Sequence, residues 1–125
     1  MKISFDFDGT LTEPKIRELC RSLMVSNDVY IITSRFASTG QDVLDLAKSL
    51  GISSERVFFM NGKEKSEFLK NNLLIDIHFD DDPFEAEQIN KNTNILCLLV
   101  GFENLDAVLD GFYATRRIEE AISKQ

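Results

Sequence analysis

Five short apolar segments, rich in β-branched and aromatic residues, alternate along the chain with longer segments of helical period. The apolar segments are predicted strands, at residues 3–7, 29–33, 57–60, 74–79 and 95–100. Strands that alternate with helices in this way are typical of crossover units on a parallel sheet. The pattern therefore predicts an α/β protein with a central, mainly parallel five-stranded sheet.

The segments between these strands carry apolar residues at helical spacing. Pro14 lies near the first turn of the first segment, where its missing N–H costs little, and Gly51 follows the second, as glycine commonly does just past a helix end. The predicted helices are residues 14–25, 43–50, 63–71, 83–90 and a tail that begins at residue 104. Helices on both faces of the sheet would make a Rossmann-like three-layer sandwich.

Length and charge limit the class of protein. A chain of 125 residues has the size of one ordinary domain, so we expect residues 1–125 to form a single domain. The net charge of −7 opposes attraction to nucleic acid or anionic lipid without excluding a local basic patch. We see no signal peptide and no membrane span, and Cys20 and Cys97 are typical of buried thiols. These features predict a soluble, cytoplasmic protein that does not bind a membrane.

Polar residues follow the predicted strands at their carboxyl ends. In an open parallel sheet this is the edge at which ligands bind. The residues at or just beyond these ends are Asp6, Asp8, Thr33, Lys63, Lys65, Asp80, Asp81 and Asp82. All the candidate chemistry therefore falls on one edge of the sheet.

The sharpest local signal is the segment DFDGTL at residues 6–11. Strand alternation places Asp6 and Asp8 on the same face, where two like charges repel unless they have water, a cation or different protonation states. Gly9 allows the backbone to approach a ligand closely. The alternative interpretation is an ordinary turn, because Asp and Gly are common at strand ends.

Three further segments follow in order: YIITSR at 30–35, GKEKSEFL at 62–69 and IHFDDDP at 77–83. With DFDGTL they cover most of the chain, and together they resemble the four motifs of the haloacid dehalogenase superfamily. The resemblance implies a small phosphatase-like member that hydrolyses phosphomonoesters with Mg²⁺ through an aspartyl-phosphate intermediate.

The resemblance also implies roles for individual residues. Asp6 would attack phosphorus, and Asp8 would protonate the leaving oxygen, which requires a carboxyl that can be protonated near neutral pH. Thr33 and a lysine would bind the phosphoryl oxygens. Lys65 is favoured over Lys63, because it lies just before the apolar segment of its predicted helix.

A magnesium site is implied by the same motifs, and all-oxygen ligands suit this ion. Its candidate ligands are Asp6, Asp8 through its backbone carbonyl, Asp80 and Asp81. Asp82 precedes Pro83 and is better explained as the cap of the next helix. Which two residues of the acidic run serve the metal stays open.

Residues at the rim are candidates for substrate binding. They are Gly9, Thr10, Ser34 and Arg35. Arg35 could bind a substrate phosphate or base, but pairing with a carboxylate explains an exposed arginine equally well. His78, the single histidine, is predicted to be a partly buried structural residue.

The spacing of the motifs leaves no room for the cap domain that is usual in this superfamily. Only 24 residues separate Asp8 from Thr33, and only 31 separate Thr33 from Lys65. An open site would admit a nucleotide, a sugar phosphate, a phosphoprotein or the end of a polynucleotide, or a homo-oligomer would complete it. The scattered basic residues give the polynucleotide little support.

Three other interpretations differ in function. A receiver domain has a similar size and sheet, but its phosphorylated aspartate would follow the third strand, where Met60, Asn61 and Gly62 supply none. A non-catalytic phosphate- or metal-binding module would not need the acid at Asp8. A phosphotransferase would differ only in the group that accepts the phosphoryl.

Overall fold

The computed structural model describes residues 1–101 and 103–124, apart from the side chain of Glu119. The strands are β1 (Lys2–Phe5), β2 (Asp28–Thr33), β3 (Val57–Phe59), β4 (Ile77–Asp80) and β5 (Leu96–Leu99). The longer helices are α1 (Pro14–Leu23), α2 (Gln41–Leu50), α3 (Lys65–Asn72), α4 (Pro83–Asn92) and α5 (Leu105–Ser123). Strands and helices alternate as the sequence predicts.

The five strands form one parallel sheet in the order β3-β2-β1-β4-β5. Phe5 of β1 pairs with Ile31 of β2 on one side and with Phe79 of β4 on the other. The chain builds the sheet outwards from β1 in one direction and then resumes on the opposite side of β1. Ligands of doubly wound sheets bind at this point of reversal, beyond the carboxyl ends of the strands.

Helices pack on both faces of the sheet, which confirms the predicted three-layer α/β architecture. On one face, α1, α2 and α5 cover a core in which the rings of Phe5 and Phe79 stack at 4.8 Å between centroids. On the other face, α3 and α4 contribute the buried Leu69 and Ile89. Burying one such side chain contributes about 1.5–3 kcal/mol to stability. The described residues form no separate cap.

The first strand is shorter than predicted, and its end shapes the site. β1 stops at Phe5 rather than at residue 7 because the chain turns immediately afterwards. The backbone N–H groups of Leu11 and Thr12 donate hydrogen bonds to the carbonyls of Asp6 and Phe7, at 3.3 and 3.2 Å respectively. Asp6 therefore stands at the junction between strand and turn.

Most of the other boundaries shift by one or two residues, and two of the differences have clear physical reasons. β4 begins three residues later than predicted, because Leu74 lies in the connecting loop with 83% of its surface exposed. α3 begins at Lys65 rather than at residue 63, because Asn61 and Gly62 adopt left-handed φ values of 54° and 81° that form a turn. None of the described helices combines the length and the apolar character that crossing a membrane requires.

Candidate active site

Two buried carboxylates share one buried lysine at the carboxyl ends of β1 and β4. Lys65 Nζ lies 2.8 Å from Asp6 Oδ1 and 2.6 Å from Asp80 Oδ2. The backbone N–H of Asp6 donates to the carbonyl of Phe79 at 2.9 Å, which extends the β1–β4 ladder as far as the site. Adjacent strands thus bring Asp6 and Asp80 together, and the first turn of α3 places Lys65 between them.

The two carboxyl groups differ in proton affinity. Burial raises the pKa of Asp6 to about 7, with a further contribution from the charge of Asp80, although Lys65 opposes both. Burial would also raise the pKa of Asp80, but a hydrogen bond from His78 and the charge of Lys65 outweigh it and lower this pKa to about 2. Burial would lower the pKa of Lys65, yet the two carboxylates raise it. Asp80 is therefore the charged partner of the Lys65 ammonium.

A third carboxylate completes an acidic cluster. Asp6, Asp80 and Asp81 each offer an oxygen, and these three atoms lie within 4.8 Å of one another. Oδ2 of Asp80 accepts from Lys65 and His78, and its Oδ1 accepts from the backbone N–H of Asp82 at 3.0 Å. Asp81 is exposed. Of the two consecutive residues Asp80 and Asp81, Asp81 is therefore better placed to hold a cation.

Asp82 has a structural position, as its place before a proline predicts. Its side chain accepts a hydrogen bond from the backbone N–H of Phe84 at 2.9 Å and so caps α4. The acidic run therefore divides into a lysine partner, an exposed carboxylate and a helix cap.

Gly9 lets the first turn approach the acidic cluster. Its φ of 72° is in the left-handed region, and a Cβ atom at this position would lie 2.0 Å from Asp81 Oδ2. Any side chain here would displace the Asp81 carboxylate. Thr10, the next residue, is buried, and its hydroxyl lies 3.5 Å from Asp6 Oδ2.

Asp8 is held by an arginine at the rim. Arg35 Nε and Nη2 donate to Asp8 Oδ2 and Oδ1, each at 2.8 Å. Arg35 also lies 3.1 Å from Asp42, and its guanidinium sits 5.3 Å from the centre of the Phe7 ring. The hydrogen bonds from Arg35 lower the pKa of Asp8. The acid–base role that the resemblance implies requires a carboxyl that can be protonated near neutral pH, whereas this arrangement favours the ionised form of Asp8.

The remaining predicted residues lie around the same edge. Thr33 is fully buried at the end of β2, and its hydroxyl accepts from the backbone N–H of Arg35 at 3.2 Å. Ser34 is exposed, and its carbonyl accepts from Gly62 N–H at 2.8 Å. Lys63 is exposed in the turn before α3. Of the two lysines, Lys65 is the one in contact with Asp6.

Three buried polar residues around the site are absent from the predicted set. Glu85 Oε2 accepts from the backbone N–H of Lys65 at 3.1 Å and so fixes the start of α3 from α4. Ser4 and His78 lie inside the sheet. The sequence predicts a partly buried His78, whereas the structure buries it fully. Burial lowers the pKa of His78 and so favours the neutral ring, although the Asp80 carboxylate opposes this effect. The available signal was a polar residue within an apolar stripe, which alone does not identify its partner.

The fold is that of a doubly wound α/β protein, and the site is an acidic centre with a buried lysine at the reversal of the sheet. A family model described as 5'-nucleotidase matches residues 17–105. The match covers more than half of the chain, so the protein belongs to this 5'-nucleotidase family, a family of phosphatases. Its general class of reaction is therefore hydrolysis of phosphoric monoesters.

The matched residues cover three of the four motifs. They include Thr33, Lys65 and Asp80, whereas Asp6 and Asp8 lie before the first matched residue. No curated protein and no solved structure matches the chain significantly. The position of Asp6 beside Lys65 therefore comes from the structure and not from the family match.

Proposed function

We propose that the protein is a magnesium-dependent phosphatase of nucleoside monophosphates that acts through an aspartyl phosphate on Asp6. The observation that carries this proposal is the contact between Asp6 and Lys65, which puts a buried carboxylate and an ammonium together at the ligand-binding edge of the sheet. The resemblance of the motifs to the haloacid dehalogenase superfamily supports the mechanism. The 5'-nucleotidase family supports the substrate class.

Asp6 has one carboxylate oxygen available for attack. Its Oδ1 accepts from Lys65 at 2.8 Å, whereas the contact of Oδ2 with the Thr10 hydroxyl is long, at 3.5 Å. In the first step, Asp6 Oδ2 bonds to phosphorus as the bond from phosphorus to the ester oxygen breaks. Lys65 holds Asp6 in place and offsets the charge that develops on the phosphoryl oxygens, and the Thr33 hydroxyl offers these oxygens a hydrogen bond.

Asp8 is the proposed acid and base. Once Arg35 has moved away, Asp8 takes up a proton from solvent and donates it to the leaving oxygen. It later removes a proton from the water that attacks the aspartyl phosphate, which releases inorganic phosphate and restores both carboxyl groups. Both oxygens of Asp8 accept from Arg35, so Arg35 has to move before Asp8 can reach a leaving group. An anionic substrate offers Arg35 another partner, because guanidinium groups bind phosphate oxygens well.

The residues present fit a magnesium ion. The cluster offers only oxygen ligands, and three carboxylates with a single lysine leave excess negative charge. The ion would be held by Asp6, Asp81 and the backbone carbonyl of Asp8. Asp80, which pairs with Lys65, would lie next to these ligands. When bound, the ion would stabilise negative charge on the transferring phosphoryl group.

The test is phosphate release from a panel of phosphomonoesters with magnesium and with a chelator. The panel contains nucleoside 5'- and 3'-monophosphates, a sugar phosphate, a phosphopeptide and a 3'-phosphorylated oligonucleotide. We expect the nucleoside monophosphates to be hydrolysed fastest and the chelator to stop the reaction. A folded, magnesium-loaded protein that releases no phosphate but binds nucleotide would be a binding module instead.

The nucleophile is tested with Asp6→Asn. We expect this variant to release no phosphate while it keeps the circular dichroism spectrum of the wild type. Asp45→Asn, which changes an exposed aspartate on α2, is the matched control and should retain full activity. An Asp6→Asn variant that retains most of the activity would disprove the assignment.

A further inference from the structure

Two polar side chains lie inside the sheet, next to the acidic centre formed by Asp6, Asp80 and Asp81. Ser4 of β1 and His78 of β4 are neighbours in register, and both are fully buried. Ser4 Oγ lies 2.7 Å from His78 Nδ1, and His78 Nε2 lies 2.8 Å from Asp80 Oδ2. Asp80 Oδ2 is also the atom that contacts Lys65 Nζ at 2.6 Å. A continuous chain of hydrogen bonds therefore runs from the middle of the sheet to Lys65.

The partners fix the direction of each hydrogen bond. Asp80 is a carboxylate and only accepts, so His78 Nε2 carries the ring proton and donates it. Nδ1 is the ring atom that meets the Ser4 hydroxyl, which can donate to it. The two contacts hold the ring against Asp80 Oδ2 and so fix the orientation of the Asp80 carboxylate.

Packing alone does not explain this pair. His78 lies beside Cys97 of β5 in register, in the layer that α3 and α4 cover with apolar side chains. Two buried polar groups in such a layer destabilise the fold unless both are hydrogen-bonded, and an apolar pair would fill the same space without that requirement. The hydrogen bonds end on Asp80 Oδ2, the atom that binds Lys65. Residues that position Lys65 through Asp80 would have to bind this atom.

We propose that Ser4 and His78 are positioning residues of the hydrolase. They hold Asp80 so that its Oδ2 faces Lys65, and Lys65 is thereby held against Asp6. The inference rests on the proposed function, because it assumes that the Lys65–Asp6 contact is needed for catalysis. Neither residue touches the substrate.

The arrangement is read directly by nuclear magnetic resonance, because His78 is the only histidine in the chain. We expect the ¹⁵N-labelled full-length protein to show one ring protonated at Nε2 and unprotonated at Nδ1. In Lys65→Met the Nε2 proton resonance should shift, because Asp80 Oδ2 loses its other donor, whereas Lys63→Met should leave it unchanged. A ring protonated at Nδ1 alone, or a resonance that ignores Lys65→Met, would overturn the proposal. This readout needs no turnover, so it stands even where the proposed function fails.

Kinetics separate positioning from a merely structural role. His78→Leu removes the donor to Asp80, whereas the amide of His78→Gln can replace it. We expect kcat per folded protein to fall about 10–100-fold in His78→Leu with KM little changed, and to recover largely in His78→Gln. Cys97→Ala removes a buried side chain from the same layer without touching Asp80, and should lower thermal stability while it leaves kcat intact. Equal kcat values for His78→Leu and wild type would show that the histidine only packs.

Discussion

Arg35 binds both carboxylate oxygens of Asp8, with 2.8 Å from Nε to Oδ2 and 2.8 Å from Nη2 to Oδ1. The pair lies at the exposed rim of the acidic centre, where Asp42 and the Phe7 ring hold the guanidinium on its other sides. The same arginine is the nearest rim cation to the proposed acid. In the proposed mechanism, substrate binding and release of Asp8 are therefore linked through Arg35.

Arg35→Ala should weaken substrate binding with little effect on folding. We expect KM for a nucleoside monophosphate to rise roughly tenfold, because a charge-assisted hydrogen bond to the phosphoryl group is lost. The unfolding midpoint should hardly change, since exposed ion pairs contribute little to stability.

Arg56→Ala is the matched control for this variant. Arg56 also pairs with an aspartate, Asp28 at 3.3 Å, and lies 5.2 Å from the centre of the Tyr30 ring, on residues that do not belong to the site. Steady-state kinetics of both variants give the comparison. Equal KM values for Arg35→Ala and Arg56→Ala would remove Arg35 from substrate binding.

Lys65→Met should damage both stability and activity. The variant leaves Asp6 and Asp80 as two buried carboxyl groups without their ammonium partner, and removing one side of a buried ion pair costs about 3–5 kcal/mol. We expect a loss of this order in urea unfolding and no measurable phosphate release. Lys63→Met changes an exposed lysine two residues away and should leave both quantities near the wild type. Equal effects from the two substitutions would contradict the position of Lys65.

Gly9→Ala and Gly111→Ala should change stability in opposite directions. At Gly9 the new methyl group would meet the Asp81 carboxylate in a left-handed backbone, so we expect destabilisation of about 1–3 kcal/mol. At Gly111, within α5, a Cβ atom meets nothing within 4 Å, so alanine should stabilise by about 0.5–1 kcal/mol. Thermal unfolding distinguishes the two. A stable Gly9→Ala would show that Asp81 can move away from the turn without cost.

Asp81→Asn and Asp82→Asn test which acidic residue holds the metal. Asp81 is exposed within the cluster of carboxylates, so its replacement by the neutral amide should weaken magnesium binding at least about tenfold. Asp82 caps α4, and asparagine is an equally good cap, so Asp82→Asn should bind magnesium as the wild type does. Calorimetric titration with magnesium alone measures both. A greater loss in Asp82→Asn would reverse the assignment.

The order of strands and helices could be predicted because apolar periodicity is a local property of the sequence. The boundaries around β4 were less accurate, because the apolar residue Leu74 lies in an exposed loop and only its tertiary surroundings reveal this. The left-handed turn at Asn61 and Gly62 likewise moved the start of α3 to Lys65.

The site was predicted as a set of residues but not as a set of contacts. The edge of the sheet follows from strand direction, which is why Asp6, Lys65 and Asp80 could be expected near one another. The hydrogen bond from Lys65 N–H to Glu85 depends on how α3 packs beside α4, and the pairing of Arg35 with Asp8 depends on two loops. Single-residue patterns do not encode these relationships.

The place of β1 between β2 and β4 also ties assembly of the acidic centre to a contact between distant parts of the chain. Asp6 and Asp80 are 74 positions apart, and they meet only when β4 pairs with β1. Closing so long a loop is the slow, entropically costly part of assembling a parallel sheet. Recovery of phosphate release during refolding would therefore report the pairing of β4 with β1 rather than collapse of the chain.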